Sequence, residues 1–276
     1  MTTVTIMGAG GKMGYRLSSN LRDSQYDMRH VEVSEAGRNR LAELGIVALT
    51  EDDALRDADV IILAIPDNLI GRVSNAISPK VKAGAMMIAL DAAAPFAGDL
   101  PQRDDLAYFV AHPCHPPIFN DETDLDAKRD YFGGLRARQH IVCSLMQGPD
   151  AAYALGEDIA RQMYKPVMRS HKVTVEQMAL LEPVLSETVG ATCISIIREA
   201  LDEAVRRGVP AQAAKDFIEG HLTIEIAILF DHLPGAQFSD GAKKAVERAK
   251  LSMFQPDWKK VFEPEAVAES IQQITR

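Results

Sequence analysis

The stretch TVTIMGAGGKMGYRLSS, residues 3–19, constrains the fold of this chain more than any other. A short β-rich run stops at glycines, and helical spacing starts at once. Gly8, Gly11 and Gly14 recur every third residue, and Gly10 adds a Gly-x-Gly pair. Glycine lets a strand turn tightly into a helix and lets backbone approach a pyrophosphate. The free N–H groups of the helix N-terminus then hold the phosphate charge. The position of the turn between a strand and a helix is what gives the glycine pattern weight. The segment therefore predicts a dinucleotide site lined by Gly8, Gly10, Gly11, Lys12, Met13 and Gly14.

The segments that follow keep the same alternation. HVEVSE is β-rich, GRNRLAELG is helical with a glycine stop, and ADVIILAIP is a continuous apolar run. Such a run suits a parallel strand covered on both faces. DNLIGRVSNAISPKV reads as a helix, and AMMIALDA, AYFVAHPC and QHIVCSLM read as further strands. From Ala151 onward strand signals nearly vanish. VEQMALLEPVLSETVGATCISIIREALDEAVRRG is a long helical pattern with a kink expected at Pro183 and a stop at Gly208. PAQAAKDFIEGHLTIEIAILFDHLPG starts at Pro210 as helices often do. The expected fold is α/β: an N-terminal Rossmann domain with a doubly wound parallel sheet over residues 1–149, then an all-helical domain over 150–276, with the QGPD turn at the boundary.

The net charge of −9 leaves no basic surplus for nucleic acid. The longest apolar run, VIILAIP, is too short to cross a bilayer, and the N-terminus carries no signal-peptide pattern. Three cysteines, odd in number and far apart, fit a reduced, cytoplasmic protein better than a disulfide scaffold.

Several residues could carry chemistry. The second strand should end in an acid that reads the adenosine ribose, about 20 residues after the glycines. Glu35 is the first choice and Glu32 the second, which favours NAD; Ser34, Arg38 and Arg40 could instead hold the 2′-phosphate of NADP. Pro66 and Asp67 end the buried strand in AIPD, either as a wall of the nicotinamide pocket or as the start of the next helix. His221 and Glu225 lie one turn apart on one helical face. Glu182 and Glu187 sit among apolar residues on the preceding helix, where carboxylates need a cation or a donor. On spacing alone the plainer reading is favoured, with Glu187 and Glu225 as solvated edge residues and His221 as a satisfied core imidazole, because polar pairs four apart are common on helices. HPCHPPIFNDET, residues 112–123, fixes two imidazoles among three prolines. It reads either as a cis-proline turn with packed histidines or as a rigid mount for His112 and His115.

Taken together, these positions resemble ketol-acid reductoisomerase, through SETVGATC and GHLTIEIAILFD. HPCHPPIFNDET resembles a bacterial group, the D-apionate oxidoisomerases, related to phosphogluconate and β-hydroxyacid dehydrogenases. The resemblance covers essentially the whole chain. It implies acids on two consecutive helices holding a divalent metal beside the nicotinamide, here Glu187, His221 and Glu225, with His115 as a ligand from the first domain. His221 stands where that family has glutamate, which favours zinc or manganese, with magnesium possible. It implies His115, His112 and Glu187 as catalytic groups, and Asn120 and Ser239 as substrate contacts. The implied reaction is NAD-dependent oxidation of a branched sugar acid, D-apionate, followed by migration of a hydroxymethyl group to give 3-oxo-isoapionate. A plain β-hydroxyacid dehydrogenase without migration is the alternative. That class places a lysine on the interdomain helix, where this chain has Glu and Ser. The apolar helices of the second half imply a homodimer; no nucleic acid or membrane partner is expected.

Overall fold

The computed structural model describes residues 1–276. Seven strands form one sheet: β1 (Thr3–Met7), β2 (Asp27–Val31), β3 (Val60–Leu63), β4 (Met86–Ala89), β5 (Ala107–Pro113), β6 (Gln139–Gln147) and β7 (Val167–Lys172). Their order is β2-β1-β3-β4-β5-β6-β7. All neighbouring pairs are parallel except β5 with β6. The doubly wound sheet expected from the sequence is present, with β6 and β7 added at one side and running antiparallel to the other five strands.

The connecting helices are α1 (Lys12–Leu21), α2 (Glu35–Glu43), α3 (Glu51–Leu55), α4 (Asp67–Ile77), α5 (Ala93–Ala97), α6 (Leu125–Lys128) and α7 (Ala152–Met163). Strands β3 and β4 are buried along their whole length, as their unbroken apolar runs require. One face of the sheet packs Leu17, Leu21, Phe109, Ile159 and Met163 together. The other packs Leu55, Ile61, Ile70, Ile77 and Met87.

The chain divides into two compact units, residues 1–182 with 268–276, and residues 183–267. The division falls at Pro183, not at residue 149 as expected. Residues 151–172 return to the sheet. Gly156 leaves room for the ring of Phe109, which an added Cβ would meet at 2.5 Å, and the Tyr164 hydroxyl donates to the Ala111 carbonyl at 3.0 Å. β7 escaped the sequence reading because VMRSHK is an edge strand. Four of its six residues are exposed, so it shows no apolar run.

A continuous helix runs from Val175 to Arg206. It comprises α8 (Val175–Ala179), a π-helical stretch (Leu180–Ala191) and α9 (Thr192–Arg206). The bend expected at Pro183 is absorbed in the π-helical stretch, where Thr188 Oγ1 donates to the Pro183 carbonyl at 2.6 Å. By length and composition alone this helix could span a bilayer, although Glu182 and Glu187 break up the apolar run in the sequence. The second unit continues with α10 (Ala211–Leu229) and α11 (Asp240–Met253), and α12 (Pro264–Thr275) ends the chain. No residue of α9, α10 or α11 is buried.

Candidate active site

β1 leads by way of α1 to β2 on one side, while β3 pairs on its other side. The strand order therefore reverses at β1, and the crevice beyond the strand ends is where such folds take ligands. Gly8 follows β1 at φ +74°, and a Cβ there would lie 2.5 Å from the Ala64 carbonyl oxygen. Only glycine fits that turn. Gly11 caps α1 without a side-chain bond, and the first turn holds no acid, so the helix N-terminus stays open to an anion. Lys12 is the first residue of the helix, and Met13 and Gly14 follow within it.

Glu32 comes directly after β2. Its carboxylate accepts hydrogen bonds from the Gly10 amide at 2.8 Å and from the Ser34 amide at 2.8 Å. Burial works against its charge, but the bonds from Ser34 and Gly10 outweigh that and lower its pKa. Glu35, the first choice for the ribose, is instead the exposed first residue of α2, whose N-cap is Ser34. Arg38 donates to the Glu32 and Val33 carbonyls, and Arg40 to the Gly10 carbonyl at 2.8 Å. Both guanidinium groups are thus engaged by backbone.

Pro66 and Asp67 do start a helix: Pro66 is the N-cap of α4 and Asp67 its first residue. The Asp67 pKa is raised by burial and by repulsion from Asp91. Asp91 follows β4 within two residues. Its Oδ1 accepts from the Ala93 amide at 2.7 Å, leaving Oδ2 3.6 Å from His112 Nδ1.

His112 lies within β5, opposite Val142, rather than beyond the strand. Its Nδ1 is 2.8 Å from the Leu90 carbonyl. A carbonyl only accepts, so Nδ1 carries a proton. Nε2 is 3.3 Å from Glu182 Oε2, but it is sealed from solvent and satisfies no hydrogen-bond geometry, so this contact is ionic. Burial opposes the imidazolium, yet Glu182 and Asp91 together hold its pKa above the ordinary histidine value. His112 in turn lowers the pKa of Glu182. Burial raises that of Asp91.

His115 sits at φ +59°, a left-handed conformation that histidine adopts more readily than bulkier residues. Its Nδ1 is 2.9 Å from the Phe132 carbonyl, which places the Nε2 lone pair outward. The Phe132 ring lies under Lys12 Nζ at 4.6 Å and Arg16 at 5.1 Å, while Arg16 and Asn20 donate to the carbonyls of Gly133 and Gly134. The loop carrying His115's partner is thereby tied to the cofactor helix. The three prolines of the segment are trans; the chain's cis bond is Lys165–Pro166.

The other expected residues have local partners. Asn120 folds an Asx turn, donating to the Pro117 carbonyl at 3.0 Å and accepting from the Glu122 amide at 3.1 Å. Ser239 caps α11 by accepting from the Ala242 amide at 3.2 Å. Within the second unit, Glu187 is on the π-helical stretch, and His221 and Glu225 are on α10. The His221 Nδ1 is 2.8 Å from the Phe217 carbonyl, and its ring stacks on Phe217 at 3.9 Å. Asp91 and the role of Glu182 went unread in the sequence. Asp91 could have been found as the acid ending a buried strand, the same signal that singled out Asp67.

Residues 120–275 match the family model described as phosphogluconate dehydrogenase (decarboxylating) C-term. Residues 1–96 match acetohydroxy acid isomeroreductase, NADPH-binding domain. Across 276 residues, the whole of both chains, this protein is 58% identical to D-apionate oxidoisomerase of Rhizobium rhizogenes. The chain belongs to the D-apionate oxidoisomerase family. The family's member from Cupriavidus necator is 55% identical over 273 residues, 99% of each chain. A semialdehyde dehydrogenase NAD-binding protein from Cupriavidus necator, solved in complex with calcium and NAD, matches at a TM-score of 0.98 with 55% identity over the whole of both chains. An NADH-preferring ketol-acid reductoisomerase from an uncultured archaean shares the fold, at 16% identity and a TM-score of 0.69 over 99% of this chain and 82% of that one.

Proposed function

We propose that this chain is an NAD-dependent oxidoisomerase that converts D-apionate to 3-oxo-isoapionate. The observation that carries the reading is the 58% identity to a D-apionate oxidoisomerase over the full length of both chains. The glycine turn takes the pyrophosphate on the N-terminus of α1, and Glu32, ahead of Glu35, reads the adenosine ribose. Pro66 and Asp67 border the nicotinamide end.

NAD supplies the hydride acceptor. His115 Nε2 takes the proton of the hydroxyl on the carbon next to the carboxylate as that carbon loses hydride. In the second stage the neighbouring carbon's hydroxyl gives up its proton. The hydroxymethyl group moves with its bonding pair to the new carbonyl carbon, the carbon it leaves becomes a ketone, and the oxygen of the receiving carbon takes up a proton. The second stage is redox-neutral, so one NADH forms per substrate. A divalent metal, zinc or manganese before magnesium, supplies charge stabilisation to the two substrate oxygens when bound. Glu187, His221 and Glu225 stand as the second unit's polar candidates around the substrate, with Asn120 and Ser239 as further substrate contacts. The working form is a cytoplasmic homodimer with no nucleic-acid or membrane partner.

Purified protein with NAD and D-apionate should form NADH, read by its absorbance, and give a ketone with a shifted carbon skeleton by carbon NMR. NADH with an unshifted 2-oxo acid would establish a plain dehydrogenase instead. No NADH from D-apionate would sink the reading.

A further inference from the structure

We propose that Asp91, His112 and Glu182 form a divalent-cation site in the first unit, suited to manganese or zinc. This rests on the oxidoisomerase reading for its purpose, but the site itself stands on geometry. One donor atom from each residue lies within 4.8 Å of the other two. That spacing suits oxygen and nitrogen atoms around one ion at about 2.0–2.2 Å.

Acids alone would not make a site, and His112 decides the matter. Its Nε2 is buried without a hydrogen-bond partner of good geometry, and what it meets, at 3.3 Å, is the Glu182 carboxylate that would share an ion with it. Its Nδ1 is held by the Leu90 carbonyl at 2.8 Å. Histidines that bind metal commonly donate their other ring N–H to a carbonyl or carboxylate in this way, which fixes the tautomer and aims the lone pair. Asp91 repeats the pattern, with Oδ1 engaged by the Ala93 amide and Oδ2 left toward the histidine. Two carboxylates beside one imidazole leave the cluster short of positive charge, which a divalent ion would supply.

One nitrogen and two oxygens leave coordination positions open, as in sites that do chemistry. Adjacent oxygens of a hydroxy acid would complete the shell. The imidazole makes calcium a poorer fit than manganese or zinc. The division of labour is then clear: His112 holds the ion, and His115, its ring 6.4 Å away, is left to move protons.

The test uses manganese alone, titrated into chelator-stripped full-length protein and read by the paramagnetic resonance of free aqueous manganese. Wild type should bind one ion per chain. Glu182→Gln, Asp91→Asn and His112→Gln should each weaken binding at least tenfold, while NAD binding, followed by fluorescence, reports that the variants are folded. His221→Ala and Glu225→Gln should leave the affinity unchanged. The proposal is overturned if wild type takes up no manganese, if the folded first-unit variants bind as wild type does, or if Glu225→Gln alone abolishes binding. NADH formation from D-apionate without any manganese uptake would remove the site and spare the oxidoisomerase reading. Manganese uptake lost in the first-unit variants, with no turnover of D-apionate, would do the reverse.

Discussion

The Glu32 carboxylate accepts a hydrogen bond from the Gly10 amide at 2.8 Å, so the acid that ends β2 is bound to the turn that ends β1. On the reading that the adenosine ribose lies over that turn, Glu32 rather than Glu35 is its partner. Glu32→Ser should therefore weaken NAD binding and narrow or reverse the preference over NADP, because a negative charge that repels a 2′-phosphate is gone. Glu35→Ser should change neither by more than about twofold, a surface effect of a few tenths of a kcal/mol. Dissociation constants for both cofactors decide this, and a larger shift in the Glu35 variant would restore Glu35 to the role.

The glycines of the turn separate by what a methyl group would strike. At Gly10 a Cβ would stand 2.3 Å from the Gly37 carbonyl oxygen, and at Gly14 2.0 Å from that of Gly8. Backbone cannot yield cheaply, so Gly10→Ala and Gly14→Ala should lose about 1–3 kcal/mol of stability from overpacking. At Gly11 the nearest atom is 3.2 Å away, so Gly11→Ala should fold normally and lose NAD affinity alone, because its methyl enters the phosphate cradle. Thermal melts beside NAD titrations test the contrast. Equal destabilisation of all three would refute it.

The glycine turn, the first six strands and the helical character of the second unit were legible in the sequence, because each is written locally as period, run length or turn chemistry. β7 was not, since an exposed edge strand carries no apolar signal. The domain boundary was misplaced for the same reason. The Asp91–His112–Glu182 cluster could not be read, because its members are 21 and 70 residues apart in sequence and meet only where β4, β5 and the helix from Val175 converge. The family resemblance pointed to Glu187, whereas the tertiary fold brings Glu182 to a histidine.

His30 is 5% exposed on β2, and its Nε2 has no hydrogen-bond partner. Burial pushes its pKa down to about 4. The folded chain thus holds His30 neutral at acidities where the unfolded chain has already protonated it. Its stabilising contribution is complete above about pH 6.5 and falls as pH drops toward 4, by at most about 3 kcal/mol. His30→Leu should flatten that part of the stability curve. Urea midpoints of wild type and variant between pH 7 and pH 4 measure the difference, and parallel curves would show that His30 does not contribute.

His115 keeps its left-handed backbone while its Nδ1 meets the Phe132 carbonyl. Asparagine tolerates the same backbone conformation but cannot serve as a base near neutrality. His115→Asn should therefore fold and bind NAD as wild type does, with kcat for NADH formation reduced about 10²–10⁴-fold. A kcat within threefold of wild type would show that the proton leaves by another route.

The second unit makes the strongest demand on assembly. Phe217 is 66% exposed, Leu229 63% and Phe230 70%, and no residue of α9, α10 or α11 is buried within one chain. Helices this apolar gain little from packing in a single copy, because most of the stabilisation of a protein helix comes from burying one face. A second copy of the chain would bury that surface with twofold symmetry and would make folding depend on concentration. Light scattering at low micromolar concentration should give twice the mass of one chain, and the melting temperature should rise with protein concentration. Leu229→Asp should weaken the dimer and lower the melting temperature, while NAD binding by the remaining folded protein persists. A monomer of wild-type protein with a concentration-independent melt would leave the apolar faces without this partner and refute the homodimer.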